Sequence, residues 1–538
     1  MNFTQLTTLA FLQRSAEVYP SKPAIVYGTR VYTYREFSAA AEQLARAIRA
    51  DIRPGDRVAF LAPNIPELLI AHYAVPLAGG VLVALNSRLA PDEVARILRH
   101  SEAAVLFVDA ELAPSLGDAR SLSPALNVVV EIADAEFGSP AGGNDRGHAS
   151  YDDYVERAVP DAEPLAWRIA DELAAISINY TSGTTGAPKG VVYSHRGVYL
   201  NALGEMHHTA LTSASVFLWT LPMFHCNGWC MPWAVTAAGG THVCLRAVRS
   251  DAVWQAIDVY GVSHLCGSPT VCGTIANGPE AHPLDRPLRI TTAGAPPTPT
   301  VLEQLDVLGI SVVHVYGLTE VYGPYTVCEY RAEWDLLPAA ARARKLARQG
   351  VAMVQADPVR VVDEHLVDVP RDGITLGEIV MRGNNVMTGY FKDPEATAAA
   401  FAGGWFHSGD LGVMHEDGYI EVKDRAKDII ISGGENISTV EVENALSSHP
   451  AVLDVAVVGH PHETWGERPA AYVLLRPGHR AGEQELRDHV RARLAGYKVP
   501  DHVVFVGELP RTATGKVTKD ALRGIPVPPE SATARTTS

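Results

Sequence analysis

The sequence predicts an α/β fold, and three observations carry that prediction. Helix-like and strand-like segments alternate from Met1 to about Ser123. The alternation resumes at Asp171, and there glycine-rich turns follow successive strand-like runs. Such alternation argues a sheet with helices on its faces. Near Lys423 to Asp428 the texture changes, and the chain beyond mixes helix and strand over about one hundred residues, the size of a small domain. The expected architecture is a large N-terminal domain of αβ-layered subdomains plus a barrel-like piece, then a small α+β C-terminal domain. At 538 residues the chain is too long for one core, so roughly two to four folding units are expected.

Residues 24–26 and 31–33 flank Gly28 and read as a hairpin. Over 35–50, Phe37, Ala41, Leu44, Ala45 and Ile48 fall on one helical face. Residues 57–62 read as a strand and 65–78 as a helix. Strands at 81–84 and 104–108 enclose a helix at 91–101. Residues 117–164, rich in Asp, Gly, Ala and Pro, read as a connection. Beyond 171, strands are expected at 174–178, 191–193, 216–221, 241–245, 264–266, 289–292 and 311–315. Residues 331–350 read as a helical excursion. Runs at 359–362, 378–382 and 419–422 read as short strands of the barrel-like piece. In the C-terminal part, Ser438-Thr-Val-Glu441 reads as a capping box opening a helix through Ser447. Strands at 452–458, 470–475 and 503–506 and a helix at 483–494 complete that unit. The expected division is 1–424, then 425–525, then a disordered tail at 526–538.

One stretch stands out, Tyr180-Thr-Ser-Gly-Thr-Thr-Gly-Ala-Pro-Lys-Gly190. It joins strand to strand. Its glycines let the backbone approach a ligand, and its N–H and hydroxyl groups form a concavity suited to phosphate oxygens. Lys189 adds a mobile point charge. The spacing is not that of a Walker A loop. A turn-rich surface hairpin is the plain alternative.

Three further stations come later in the chain. Tyr316-Gly-Leu-Thr-Glu320 ends a strand, and its carboxylate is either a solvated loop group or an oxygen ligand for Mg²⁺, with Thr184 opposite. Gly404-Trp-Phe-His-Ser-Gly-Asp410 offers an aspartate able to accept both hydroxyls of a ribose, with Arg425 in reach of the same sugar, or a simple turn residue. Pro510-Arg-Thr-Ala-Thr-Gly-Lys516 presents a lysine beside glycine and threonine.

Composition narrows the classes. A net charge of −16 disfavours a nucleic-acid partner. Six cysteines, at 226, 230, 244, 266, 272 and 328, sit in apolar segments and read as buried, reduced thiols of an intracellular protein. Packing is the preferred reading of His225, Cys226 and Cys230 over a metal site. No apolar run is long enough to span a bilayer. Residues 6–12 lack the flanks of a leader, and the last residues are not a peroxisomal address. A cytoplasmic protein is expected.

In this order, the motifs resemble those of the AMP-forming, adenylate-making enzymes, from about Leu9 to Arg523. That superfamily holds acyl-CoA synthetases, peptide-synthetase adenylation domains and firefly-type luciferases. The resemblance implies that Thr181, Ser182, Gly183, Thr184, Thr185 and Lys189 hold the phosphates of ATP. It implies that Tyr316 lies against adenine with Gly317 also among the ATP/AMP-binding residues, that Gly294-Ala295-Pro296 form its wall, and that Thr319 meets the α-phosphate. Mg²⁺ would be held by Thr184 and Glu320, and the ribose by Asp410 and Arg425. Lys516 would be the catalytic lysine of adenylation, and Lys427 the hinge of a mobile C-terminal domain. Gly433, Gly434 and Glu435 would face CoA, though the glycines also suit a turn. Phe224-His225 stands where amino-acid-activating domains carry Phe-Asp, which argues against an amino-acid substrate. His225, with Thr184, Glu320 and Lys516 in the catalytic set, would border the carboxylate and thioester site or be a packed core histidine. Trp229, Gly294 and Val321 would line the acyl pocket, Trp229 equally serving the core.

Within the synthetases, Leu221–Trp229, Tyr316–Pro324 and Ile429–Ile437 resemble the subgroup of 3-methylmercaptopropionate–CoA ligases and plant acyl-activating enzymes. The expectation is therefore an ATP-dependent acid–CoA ligase working through acyl-AMP, with release of pyrophosphate and AMP. The acid would be short or medium, such as 3-methylthiopropionate or butyrate, or a small aromatic acid. Carboxylic acid, ATP, CoA and Mg²⁺ are the expected partners, and a homodimer is compatible with them. Loading of a carrier protein is the alternative, and a non-catalytic nucleotide binder on the same fold a more distant one.

Overall fold

The computed structural model describes residues 3–137, 148–158, 165–181, 188–294, 299–433, 435–462, 464–511 and 517–525. The chain packs as two compact units. One comprises residues 1–359 and 381–406, the other 360–380 and 407–538.

The first unit is built on two sheets. In one, among the described residues, eight strands run in the order Gly389–Tyr390, Gly190–Ser194, Ala175–Tyr180, Val81–Leu85, Arg57–Leu61, Ala103–Asp109, Val128–Ile132 and Ala149–Ser150. Six of these, from Ala175–Tyr180 onward, are mutually parallel, and the first two pair antiparallel. Val81–Leu85 and Ala103–Asp109 are buried at every position, as expected of strands covered on both faces. Val128–Ile132 corrects the reading of 117–164 as connection alone. Its Val-Val-Val-Glu-Ile run is a fully integrated strand, masked in the sequence by polar, glycine-rich flanks.

In the other sheet, nine described strands run Val351–Ala352, Gly323–Val327, Ile310–Leu318, Leu288–Thr292, His264–Gly267, Val216–Leu218, Thr241–Val243, Pro23–Tyr27 and Arg30–Thr33. The inner strands pair parallel, so their C-terminal ends emerge together. The helix Tyr34–Arg49 shows why the sequence folds this way. Thr33 and Glu36 close a capping box at its start, and Phe37, Ala41, Leu44, Ala45 and Ile48 are its buried face. Inside the same unit, the Arg246 guanidinium bonds Asp109 at 2.7 and 2.9 Å and Asp134 at 2.9 Å. Both carboxylates are essentially inaccessible, so the arginine neutralises two charges that could not otherwise be buried.

The second unit carries a four-stranded sheet, Arg360–Val362, Gly377–Met381, Phe406–Met414 and Ile420–Arg425. It also carries a sheet in which Gly466–Leu475 pairs with Val452–His462, Ile430–Ser432 and His502–Phe505. The two are stitched at Asp424, whose Oδ2 accepts from the N–H and hydroxyl of Thr439, both at 2.6 Å. This unit thus takes in chain upstream of residue 425. Ser438 caps the helix Thr439–Ser447 by accepting from Glu441 N–H at 3.1 Å. The Glu441 carboxylate takes Lys498 Nζ at 2.6 Å, so only half of the expected capping box is a cap. All six cysteines are buried. Among the described residues, no helix is long and apolar enough to cross a membrane.

Candidate functional site

The strands that flank the glycine-rich stretch, Ala175–Tyr180 and Gly190–Ser194, pair antiparallel. Tyr180 faces Gly190 across the ladder, and Thr181 N–H donates to Lys189 O at 3.0 Å. Strand-to-strand placement of the loop is therefore observed. Ser182, Gly183, Thr184 and Thr185 lie outside the described residues, as do Ala295, Pro296, Gly434 and Lys516.

Exposed Lys189 reaches a neighbour that sequence reasoning passed over. Its Nζ lies 4.6 Å from the centroid of the Tyr390 ring, a cation–π geometry. Tyr390 comes from far along the chain and is placed by pairing of Gly389–Tyr390 with Val191 and Val192. Its hydroxyl donates to Glu320 Oε1 at 3.0 Å. Burial first, then the Glu320 charge, push the phenol above its ordinary value, so it remains a donor throughout the physiological range.

Glu320 sits at the tip of an antiparallel hairpin. Strands Ile310–Leu318 and Gly323–Val327 pair through Tyr316–Thr326 and Gly317–Pro324, and Thr319–Val321 forms a short 3₁₀ turn between them. Gly317 is required here, since a Cβ would sit 1.8 Å from Gly323 O. Glu320 O accepts from Met387 N–H at 2.8 Å. Thr319 Oγ1 contacts Cys226 Sγ at 3.4 Å, and that sulfur lies 4.0 Å from His225 Nε2. Thr319 O accepts from the Tyr193 hydroxyl at 2.5 Å. The Tyr193 ring stacks on Tyr322 with centroids 3.9 Å apart. Val321 is fully buried, and Trp229 is 6% exposed. A Cβ on Gly323 would meet the Trp229 indole at 2.8 Å. Gly294 lies just beyond the strand Leu288–Thr292 with φ +96°, a backbone suited to glycine. So the first unit draws Lys189, Glu320, Thr319, His225 and Trp229 into one neighbourhood. Tyr390 and Cys226 are its unforeseen members.

The second unit holds the remaining described stations. Asp410 and Arg425 are cross-strand partners, Oδ1 to Nε 3.4 Å. The Asp410 carboxylate is largely buried and the arginine half exposed, so water screens the pair and it adds at most about 1 kcal/mol of stability. Lys427 Nζ lies 3.3 Å from Asp520 Oδ2. Gly433, at φ +61°, donates its N–H to Trp465 O at 2.8 Å under the Trp465 ring. Glu435 is exposed and opens the strand Glu435–Ile437.

Two family models match the chain. An AMP-binding enzyme model covers residues 12–391, with both the glycine loop and Tyr390 inside it. The chain belongs to the AMP-binding enzyme family. The AMP-binding enzyme C-terminal domain matches residues 441–516, ending on Lys516. This AMP-binding enzyme is 45% identical to the acetate–CoA ligase CCL3 of Humulus lupulus, over 97% of this chain and 95% of that one. It is 44% identical to the peroxisomal acetate/butyrate–CoA ligase AAE7 of Arabidopsis thaliana, with 97% and 95% covered. Among solved structures, it is similar to the o-succinylbenzoate coenzyme A synthetase MenE of Bacillus subtilis in complex with ATP and magnesium. That match has a TM-score of 0.81 and 27% identity, covering 95% of this chain and 99% of that one. The mixed α/β fold with a large N-terminal and a smaller C-terminal part is thus that of a family of enzymes.

The donor chemistry near Glu320 suits Mg²⁺. A carboxylate on a hairpin tip supplies a hard oxygen, and magnesium takes one or two such protein ligands while phosphate and water fill the rest.

Proposed function

We propose that this AMP-binding enzyme is an ATP-dependent carboxylic acid–CoA ligase. In the first step a carboxylate oxygen attacks the α-phosphorus of ATP, and pyrophosphate leaves as acyl-AMP forms. In the second, the CoA thiol attacks the acyl carbon, AMP leaves, and acyl-CoA is released. The observation that carries this reading is the convergence of Lys189, Tyr390, Glu320, Thr319 and His225 from distant parts of the chain.

Lys189 meets the outer phosphates with the loop from Thr181 to Thr185. Thr319 meets the α-phosphate, and Tyr316, Gly317 and Gly294-Ala-Pro296 enclose adenine. Asp410 and Arg425 take the ribose. Glu320 and Thr184 hold Mg²⁺, which neutralises phosphate charge when bound. His225, Trp229, Gly294 and Val321 border the acid. Lys516 steadies charge building on the pentacoordinate phosphorus, where a fixed cation acts strongly. The 425–525 part turns about Lys427, exchanging Lys516 for a thiol channel beside Gly433, Gly434 and Glu435. The acid is short or medium, such as butyrate or 3-methylthiopropionate, or small and aromatic. The relatives whose names carry acetate and butyrate support the smaller end. The location is cytoplasmic, read against a relative whose name carries the word peroxisomal.

The test is acid-dependent exchange of labelled pyrophosphate into ATP, across linear, sulfur-containing and aromatic acids, followed by thioester formation with CoA. Exchange with none of these acids refutes the ligase. Exchange followed by transfer to a carrier protein but not to CoA refutes the second step.

A further inference from the structure

The segment from Cys226 to Cys230 winds left-handed. Successive φ values are +47°, +41°, +52°, +52° and +60°, and four of the five residues are not glycine. L-residues avoid this region because Cβ crowds the following carbonyl, and runs of it cluster at functional sites. Something must hold the turn, and Asn227 does.

Asn227 is completely buried. Its Oδ1 accepts from Ser177 Oγ at 2.6 Å and from Asn179 Nδ2 at 2.5 Å. Its backbone N–H donates to Asn179 Oδ1 at 2.9 Å. Its Nδ2 lies 3.2 Å from His72 Nε2. His72 Nδ1 faces Leu68 O at 2.8 Å, so Nδ1 carries the proton and Nε2 accepts from Asn227. Burial lowers the imidazole to about 4, which keeps it neutral and that tautomer in place. The side chain and backbone of one residue thus pin the turn to the helix Pro66–Leu77 and to the strand Ala175–Tyr180, which leads into the glycine loop. Beneath the turn, Gly228 lies against Trp219, where a Cβ would come within 2.7 Å of the ring. At its two ends, Cys226 touches Thr319 and Trp229 covers Gly323, so the turn brackets the Glu320 hairpin.

We infer that Asn227 is a positioning residue that fixes the left-handed turn, and through it the Trp229 indole, as the size-selecting wall of the acid site. This rests on the reading of Trp229 as a wall of the acid site in a ligase. A clamped indole gives the acid a hard stop. A released one lets acids of several lengths fit comparably.

The experiment profiles kcat/KM over straight-chain acids of increasing length by pyrophosphate exchange, with KM for ATP and thermal melting alongside. Asn227→Gly keeps the backbone freedom and removes the side-chain bonds. It should flatten the preference between best and worst acid by about tenfold, the scale of one or two buried hydrogen bonds. KM for ATP should stay within about twofold, since no phosphate contact is altered. Asn227→Asp keeps the acceptor toward Ser177 and Asn179 and, as the neutral acid that burial favours, a donor toward His72 Nε2, and should restore part of the profile. An unchanged profile in folded Asn227→Gly overturns the inference. So does a uniform fall in all parameters that tracks the melting point. If Asn227→Gly does not fold, Ser177→Ala, which removes one bond, decides on the same profile: a flattened preference supports the clamp and an unchanged one overturns it. Wild-type protein without exchange for any acid refutes the ligase reading itself. Exchange with an unaltered variant profile refutes this inference alone.

Discussion

Replacing Tyr390 by phenylalanine removes one oxygen and leaves the ring. The lost interaction is a half-buried O–H to carboxylate bond of 3.0 Å. Hydrogen bonds to charged groups are worth about 1.5–3 kcal/mol. Partial exposure argues for the lower end, and about 1.4 kcal/mol is tenfold in an equilibrium constant. The Lys189 contact at 4.6 Å survives, because phenylalanine keeps the π face. Tyr390→Phe should therefore lower kcat/KM for magnesium-ATP in pyrophosphate exchange by about tenfold and raise the Mg²⁺ needed for half-maximal rate. The acid profile should not move. Tyr390→Leu, which removes both interactions, should lose a further several-fold, from about 0.5–1 kcal/mol of cation–π energy. Because the phenol is held above its ordinary value by burial and by Glu320, the wild-type to Phe ratio should stay flat between about pH 6 and 9. A Phe variant with unaltered Mg²⁺ dependence would refute the reasoning that this hydroxyl orients Glu320, the carboxylate proposed to hold Mg²⁺.

Four other outcomes are expected. Lys516→Ala should slow acyl-AMP formation by about 10²–10³ while synthetic acyl-AMP still yields thioester, and equal loss in both half-reactions would count against a lysine serving one step. Glu205 is fully buried, both its oxygens lack partners among the described residues, and burial raises its carboxyl well above the ordinary value. Its stabilising neutral form is fully matched below the unfolded value and is lost as pH climbs toward the folded one, so Glu205→Gln should melt higher than wild type at about pH 8, the gap narrowing toward about pH 4.5. Arg246→Ala leaves Asp109 and Asp134 buried without their cation and should cost about 3–5 kcal/mol in urea unfolding. Gly317→Ala forces a Cβ onto Gly323 O and should destabilise by about 1–3 kcal/mol while impairing ATP use, both measurable by calorimetry.

The legible parts of the sequence were those in which periodicity or spacing is local. The face Phe37–Ile48 and the hairpin around the glycine loop follow from neighbours a few residues apart, and both are observed. The strand Val128–Ile132 is hidden in the sequence, because its polar flanks suggest a connection and only pairing with Ala103–Asp109 marks it as core. Tyr390 carried no local signal either. Its importance arises from an edge pairing with Val191 and Val192, far back in the chain. The left-handed turn at Cys226–Cys230 defeats sequence reasoning for a different reason. One Asn-Gly pair is an ordinary turn signal, whereas a sustained run depends on buried partners supplied by His72, Ser177 and Asn179. Lys427 matches the hinge position that the resemblance implies, and the structure adds its ion pair with Asp520.

The concealment of every cysteine has a practical consequence. Burial pushes the thiols of Cys230, Cys244, Cys266 and Cys272 upward, so little thiolate exists at neutral pH. Maleimide reagents should leave the native chain unmarked. Cysteines engineered at one exposed position in the first unit and one within residues 425–525 could then carry a fluorophore pair without a cysteine-free background. Energy transfer between the two dyes would follow the proposed turn of the 425–525 part, turnover by turnover, in a protein otherwise unaltered.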